Sequence, residues 1–129
     1  MAAKPDFSKS PPELVARFDD VAAGYPEIQR RLSFGYPCLL VGGNMVTGLF
    51  RDGWFVRLGA TELDEALALE GASPFEVMPG RPMIGYALLP PAVVADDAAI
   101  RDWVDRAIAF GATMPPKAPK AKAAPKKRA

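Results

Sequence analysis

The chain has 129 residues, half of them apolar, and a formal net charge of +1, which is one domain's worth of sequence with enough apolar material for a buried core. It contains no histidine and a single cysteine, Cys38, so Ser-His and Cys-His hydrolases are excluded, as are an intramolecular disulfide and a CxxC zinc knuckle. The charge is unevenly spread: residues 1–116 carry 15 acidic and 10 basic side chains, a net of −5, whereas residues 117–129 carry six basic and no acidic ones.

The opening residues, MAAKPDFSKSPPE, hold no apolar run of the secretory kind, and with the lone cysteine they point to the cytoplasm. Ser10-Pro11-Pro12-Glu13 predicts a helix start, with Ser10 as cap, Pro11 at the first helical position and Glu13 completing a capping box. Leu14, Val15, Phe18, Val21 and Ala22 then fall on one face, with Arg17, Asp19 and Asp20 off it, and Gly24-Tyr25-Pro26 ends the helix.

Four short segments rich in β-branched, aromatic and large aliphatic residues follow: 28–34, 37–41, 45–50 and 54–58. The turns between them are Gly35-Tyr36, Gly42-Gly43 and Asp52-Gly53, and the last two suit two-residue hairpins whose central residues need positive φ. With those turns Val41 faces Asn44 and Arg51 faces Trp54, and two sheet faces result. One carries Cys38, Leu40, Met45, Thr47, Leu49, Val56 and Leu58 and is expected to face the core. The other carries Leu39, Val41, Asn44, Val46, Gly48, Phe50, Phe55 and Arg57. It is too apolar for a solvated face, so Leu39, Val46, Phe50 and Phe55 are expected to be covered by a partner or by another element.

Gly59 or Thr61 caps a second helix with Leu63, Ala66 and Leu67 on one stripe, closed by Gly71. Residues 75–78 and 84–89 read as two further strands joined by Pro79-Gly80-Arg81-Pro82. Asp96 or Asp97 caps a third helix, in which Ile100, Trp103, Val104, Ala107 and Ile108 recur at helical spacing. The order of helix, four strands, helix, two strands, helix describes an α+β domain with its helices packed on one antiparallel sheet.

Apparent chemical motifs dissolve on inspection. Gly43 to Gly48 has the glycine spacing of a P-loop, but Leu49 and Phe50 stand where its Lys and its Ser or Thr belong. At fourteen residues, the segment from Pro37 to Phe50 is shorter than the roughly 20 apolar residues of a membrane-spanning helix. Cys38 reads as a buried small hydrophobe opposite Thr47. The carboxylates Asp19/Asp20, Glu62/Asp64/Glu65, Asp96/Asp97 and Asp102/Asp105 fall on helix starts or solvated helix faces, as capping and solubility require. Arg57 and Arg81 interrupt apolar surroundings, and each implies either a structural ion pair or contact with an anion.

The domain is expected to span residues 1–116, with residues 117–129, KAPKAKAAPKKRA, a disordered basic tail. Lys117, Lys120, Lys122, Lys126, Lys127 and Arg128 are candidate nucleic-acid contacts of a weak, non-specific, salt-sensitive kind, without aromatic residues for base stacking. A solubilising tail, or one folded back on the acidic body, is the alternative.

From about Tyr25 to Lys117 the sequence resembles the TfoX N-terminal domain family (TfoX/Sxy). The resemblance rests on "RLSFGYPCLLVGGNMVTGLFRDGWFVRLG", "PFEVMPGRPMIGYALLP" and "WVDRAIAFGATMPPK", and within them on Phe34-Gly35, Gly43-Asn44-Met45, Arg57-Leu58 and Gly80 to Met83. It implies a secretion-chaperone-like α+β fold, no catalytic activity and a part in transcriptional regulation. In the best-known members a helical C-terminal domain follows this one, where the present sequence has the basic segment. Together these readings give a non-enzymatic, cofactor-free module acting through a protein partner or as a homodimer, held near nucleic acid by its tail. The alternative is a small-molecule or peptide-binding domain in which Arg57 or Arg81 fixes an anion between sheet and helix.

Overall fold

The computed structural model describes residues 9–33, 35–78 and 80–115, without the side chains of Val77, Met78, Arg81 and Pro82. Helix α1 (Pro12–Ala22) begins on backbone geometry alone: Pro11 is the N-cap, Pro12 takes the first helical position, where its missing N–H costs nothing, and no side chain caps the end. Ser10 therefore stands one residue too early for the cap expected of it, and its buried hydroxyl has no hydrogen-bond partner among the described residues. Strands β1 (Gln29–Ser33), β2 (Tyr36–Val41), β3 (Asn44–Phe50) and β4 (Gly53–Arg57) follow, then α2 (Ala60–Leu67), β5 (Ser73–Met78), β6 (Arg81–Leu88), a short α3 (Pro91–Ala95) and α4 (Asp97–Thr113). Gly59 is the N-cap of α2, and Asp96 caps α4 by accepting from the Ala99 amide at 3.2 Å, as the spacing predicts. Only the single turn of α3, started by Pro91 at its first position, is additional to the expected order.

The strands form one antiparallel sheet in the order β1-β2-β3-β4-β6-β5, and the fold is α+β. The main core lies between this sheet and helices α1, α2 and α4, where Phe18 and Val21 of α1 and Ile100, Trp103, Val104 and Ala107 of α4 meet Leu39, Val46, Leu49, Trp54 and Val56 of the strands. Helix α4 sits so close that a Cβ on Gly111 would fall 2.5 Å from Val46 Cγ1. Any larger residue there would push the helix off the sheet.

The register departs from expectation in two places. Between β2 and β3 the pairs Val41↔Asn44 and Leu40↔Met45 are followed by Leu39↔Thr47 and Cys38↔Gly48. Val46 is the extra residue of a β-bulge, and a bulge reverses which face each later residue occupies relative to an unbroken ladder. Leu39, Val41 and Val46 consequently pack on the helix side, whereas Cys38 and Met45 lie on the opposite side with Tyr36 and Phe50. Thr47, Leu49, Val56 and Leu58 do face the helices. Between β3 and β4 the pairs are Leu49↔Trp54 and Phe50↔Gly53, so the turn is Arg51-Asp52, with Arg51 at φ 55°. A Cβ on Gly53 would lie 2.8 Å from Leu88 Cδ1, the far end of a side chain that can swing aside. This second shift is of two residues in the pairing, so it leaves the faces of β4 unchanged.

The far side of the sheet curls over itself. Strand β6 starts at Arg81, earlier than expected, and between Pro74↔Ala87 and Glu76↔Pro82 one residue of β5 stands against four of β6. Gly85, at φ 89°, supplies a conformation there that side-chain-bearing residues avoid. The curl carries Phe75 of β5 onto Phe55 of β4, with ring centroids 4.3 Å apart and planes 14° from parallel.

At the bulge, the hydroxyl of Thr47 donates to the Phe55 carbonyl at 2.7 Å and accepts from Trp54 Nε1 at 2.9 Å, both within the buried interior. Replacing Thr47 with Val keeps the shape but strands the indole N–H, at a cost of about 1–3 kcal/mol. Urea denaturation should show that loss in the wild-type background and a smaller one in Trp54→Phe; equal losses in both would remove the hydrogen bond as the cause.

Candidate functional site

The sheet face away from the helices is closed by a second, aromatic cluster of Tyr36, Phe50, Phe55, Phe75 and Tyr86, with Met45, Met83 and Leu88 packed against it. Edge-on contacts link Tyr36 to Phe50 at 5.2 Å and Phe50 to Phe75 at 5.6 Å, and the Tyr86 hydroxyl donates to the Met45 carbonyl at 3.1 Å. Of the four residues expected under a partner or another element, Leu39 and Val46 are buried beneath the chain's own helices, and Phe50 and Phe55 within this cluster. The covering is intramolecular. Among the described residues, the large apolar side chains left exposed are Ile84, at 87% exposure, and Leu32, at 58%.

Inside the aromatic cluster is a cavity of about 100 Å³, lined by Cys38, Met45, Phe50, Phe55 and Met83 among others, with Ser33 at the end of β1. Cys38 is buried, and its Sγ donates to the Arg31 carbonyl at 3.3 Å. Burial pushes the thiol pKa up, against the pull of the Arg31 and Arg30 charges. Buried, and with its Sγ–H bonded to a backbone carbonyl, Cys38 packs here as a small hydrophobe.

Arg57 lies over the Tyr86 ring, its guanidinium carbon 5.5 Å from the centroid, and among the described residues it has no ion pair. The Arg81 side chain and the six basic residues of the tail lie outside the described residues. The helix carboxylates, by contrast, are more than solvated surface. Arg30 joins β1 to Asp19 of α1 at 2.8 Å. Arg101 binds Asp97 on its own helix at 3.0 Å and Asp20 of α1 at 2.6 Å. Arg106 contacts Glu65 at 2.7 Å and Asp102 at 3.0 Å while covering the Trp103 ring at 4.5 Å. These arginines brace α1, α2 and α4 across the outside of the helical layer. Among the described residues, no group of three His, Cys, Asp or Glu is placed to hold a metal ion, and no helix is long and apolar enough to cross a membrane.

Two larger clefts open elsewhere. One, of about 460 Å³, runs between the end of α1 and β1, past Ala22, Tyr25, Ile28 and Arg30. The other, of about 280 Å³, lies where α1, α3 and the ends of β4 and β6 meet, and both Arg17 and Asp52 line it. Sequence reasoning passed over Arg17 because it lies off the apolar stripe of α1. Its position one turn before Val21 gives no hint that α3 folds back onto it.

Three acids titrate above their ordinary range. Burial raises Cys38; burial, followed by the charge of Asp105, raises Tyr25; and burial raises Tyr86 against the charge of Arg57. When the folded pKa exceeds the unfolded one, the unfolded chain loses its proton first as pH rises. Stability is then complete below the unfolded values and declines as pH climbs toward the folded ones. Urea midpoints should therefore stay level through neutrality with respect to these groups and fall above about pH 8.5–9, and Cys38→Ala should delay the onset toward the tyrosine range near pH 10. An onset unchanged by Cys38→Ala would show that the thiol does not contribute.

Comparison with curated proteins and with solved structures finds no match. The TfoX N-terminal domain family model, however, matches residues 20–111, from the end of α1 to Gly111, where α4 touches the bulge. That match takes in all six strands, α2, α3 and all but the last two residues of α4, and the protein belongs to the TfoX N-terminal domain family.

Proposed function

We propose that the protein is a non-catalytic TfoX-like module of the cytoplasm that takes part in transcriptional regulation by contacting a protein partner or a second copy of itself. The observation that carries this reading is the family match over residues 20–111; fold and family, not a catalytic constellation, are what the chain has in common with regulators. In this reading Ile84 and Leu32 are the contact surface, because among the described residues they are the large apolar side chains left exposed. The basic residues after Pro116 add weak, non-specific contact with nucleic acid.

The two parts of the proposal are separable. In gel shifts at low salt, the full chain should retard duplex DNA and a chain ending at Pro116 should not, with a log-log salt slope no steeper than about −5 for six phosphate contacts. Equal behaviour of the two chains would sink the tether. Light scattering of the full chain at rising concentration, beside Ile84→Asp, tests self-association: a dimer lost in the variant supports a second copy as the partner, and a monomer at all concentrations removes it.

A further inference from the structure

We propose that the cleft between α1, α3 and the ends of β4 and β6 is a binding site for a small carboxylate with a compact apolar body, held by Arg17. Its volume of about 280 Å³ lies just below the roughly 300–1,000 Å³ of sites for drug-sized ligands, which suits a compact occupant. Leu88, Leu89, Pro91 and Val94 supply an apolar lining.

Arg17 is held in place in that lining. Its Nε donates to the Val94 carbonyl at 2.6 Å, which fixes the guanidinium against α3. Its Nη2 is buried and makes no hydrogen bond, and among the described residues no carboxylate pairs with it. The other arginines of the helical layer are spent on Asp and Glu partners, whereas this one lines a cavity and has no carboxylate partner among the described residues. A buried donor without an acceptor is costly, and a carboxylate is the acceptor whose planar shape matches a guanidinium. Asp52 lines the same cleft but forms no ion pair with Arg17, so an anion there would not have to displace an internal partner. The negative charge of Asp52 favours a ligand with one carboxylate over one with several.

The test titrates the full chain with isocaproate, followed by isothermal calorimetry and by amide chemical shifts. Saturable binding is expected, with shifts centred on α1, α3 and Gly53. Isocaproamide, the same shape without the charge, should bind about tenfold or more weakly, as should isocaproate to Arg17→Gln. Should Arg17→Gln lose its fold with the Val94 contact, Ala95→Phe decides: Ala95 is an exposed part of the cleft wall, and a ring there should block binding while leaving the melting temperature in place. Asp52→Asn should tighten isocaproate severalfold. No saturable binding, equal binding of acid and amide, or unchanged binding to Ala95→Phe overturns the proposal.

Discussion

One extra residue in β3 sets how the whole sheet is populated. Val46 has no partner on β2, and the chain absorbs it between Met45 and Thr47. From that point Val46 and Thr47 both serve the helical side, Val46 as the surface on which Gly111 of α4 rests and Thr47 as the hydroxyl that takes the Trp54 indole. A hydroxyl is tolerated in this core because both of its hydrogen-bonding roles are filled, by Trp54 Nε1 and by the Phe55 carbonyl. Strand β2 itself alternates regularly, so Tyr36 and Cys38 address the far face while Leu39 and Val41 address the helices.

The far face follows from the same constraint. Once Cys38, Met45 and Phe50 point away from the helices, the sheet has two apolar sides and only one helical layer to cover them. The chain solves this with its other irregularity, the stretch of β6 around Gly85 that has no regular partner on β5, which lets β5 bring Phe75 over Phe55 and lets Tyr86 reach the Met45 carbonyl. Ser33 of β1 and Met83 of β6 thereby line one cavity although three strands separate theirs in the sheet. The aromatic contacts that look from the sequence like an interface are thus the inner seam of a curled sheet. What remains outside is Ile84, in the stretch that makes the curl.

The parts of this fold legible in the sequence are those governed by local chemistry. Asp96 caps α4, Gly59 caps α2, and apolar spacing places Phe18, Val21, Ile100, Trp103 and Val104 in the core. Register was legible only where the ladder is regular. Nothing in Met45-Val46-Thr47 announces a bulge, since all three residues suit a strand; and Asp52-Gly53 resembles a turn so well that the actual one, with Arg51 at positive φ, is hidden. Gly53 stands beside Leu88, thirty-five positions away, a neighbour that no local rule can see. Arg17 was illegible for a similar reason: its significance comes from the Val94 carbonyl on α3, a contact made only after the chain has crossed the sheet.

Electrostatics divides the surface further. Residues 1–116 are net acidic at −5, and three of their arginines, Arg30, Arg101 and Arg106, are already engaged with carboxylates on neighbouring elements. Those pairs are exposed, so each adds little to stability alone, but together they leave the helical layer with few cations to offer. Arg17 has no carboxylate partner among the described residues; it is tied instead to the Val94 carbonyl and lines a small cleft.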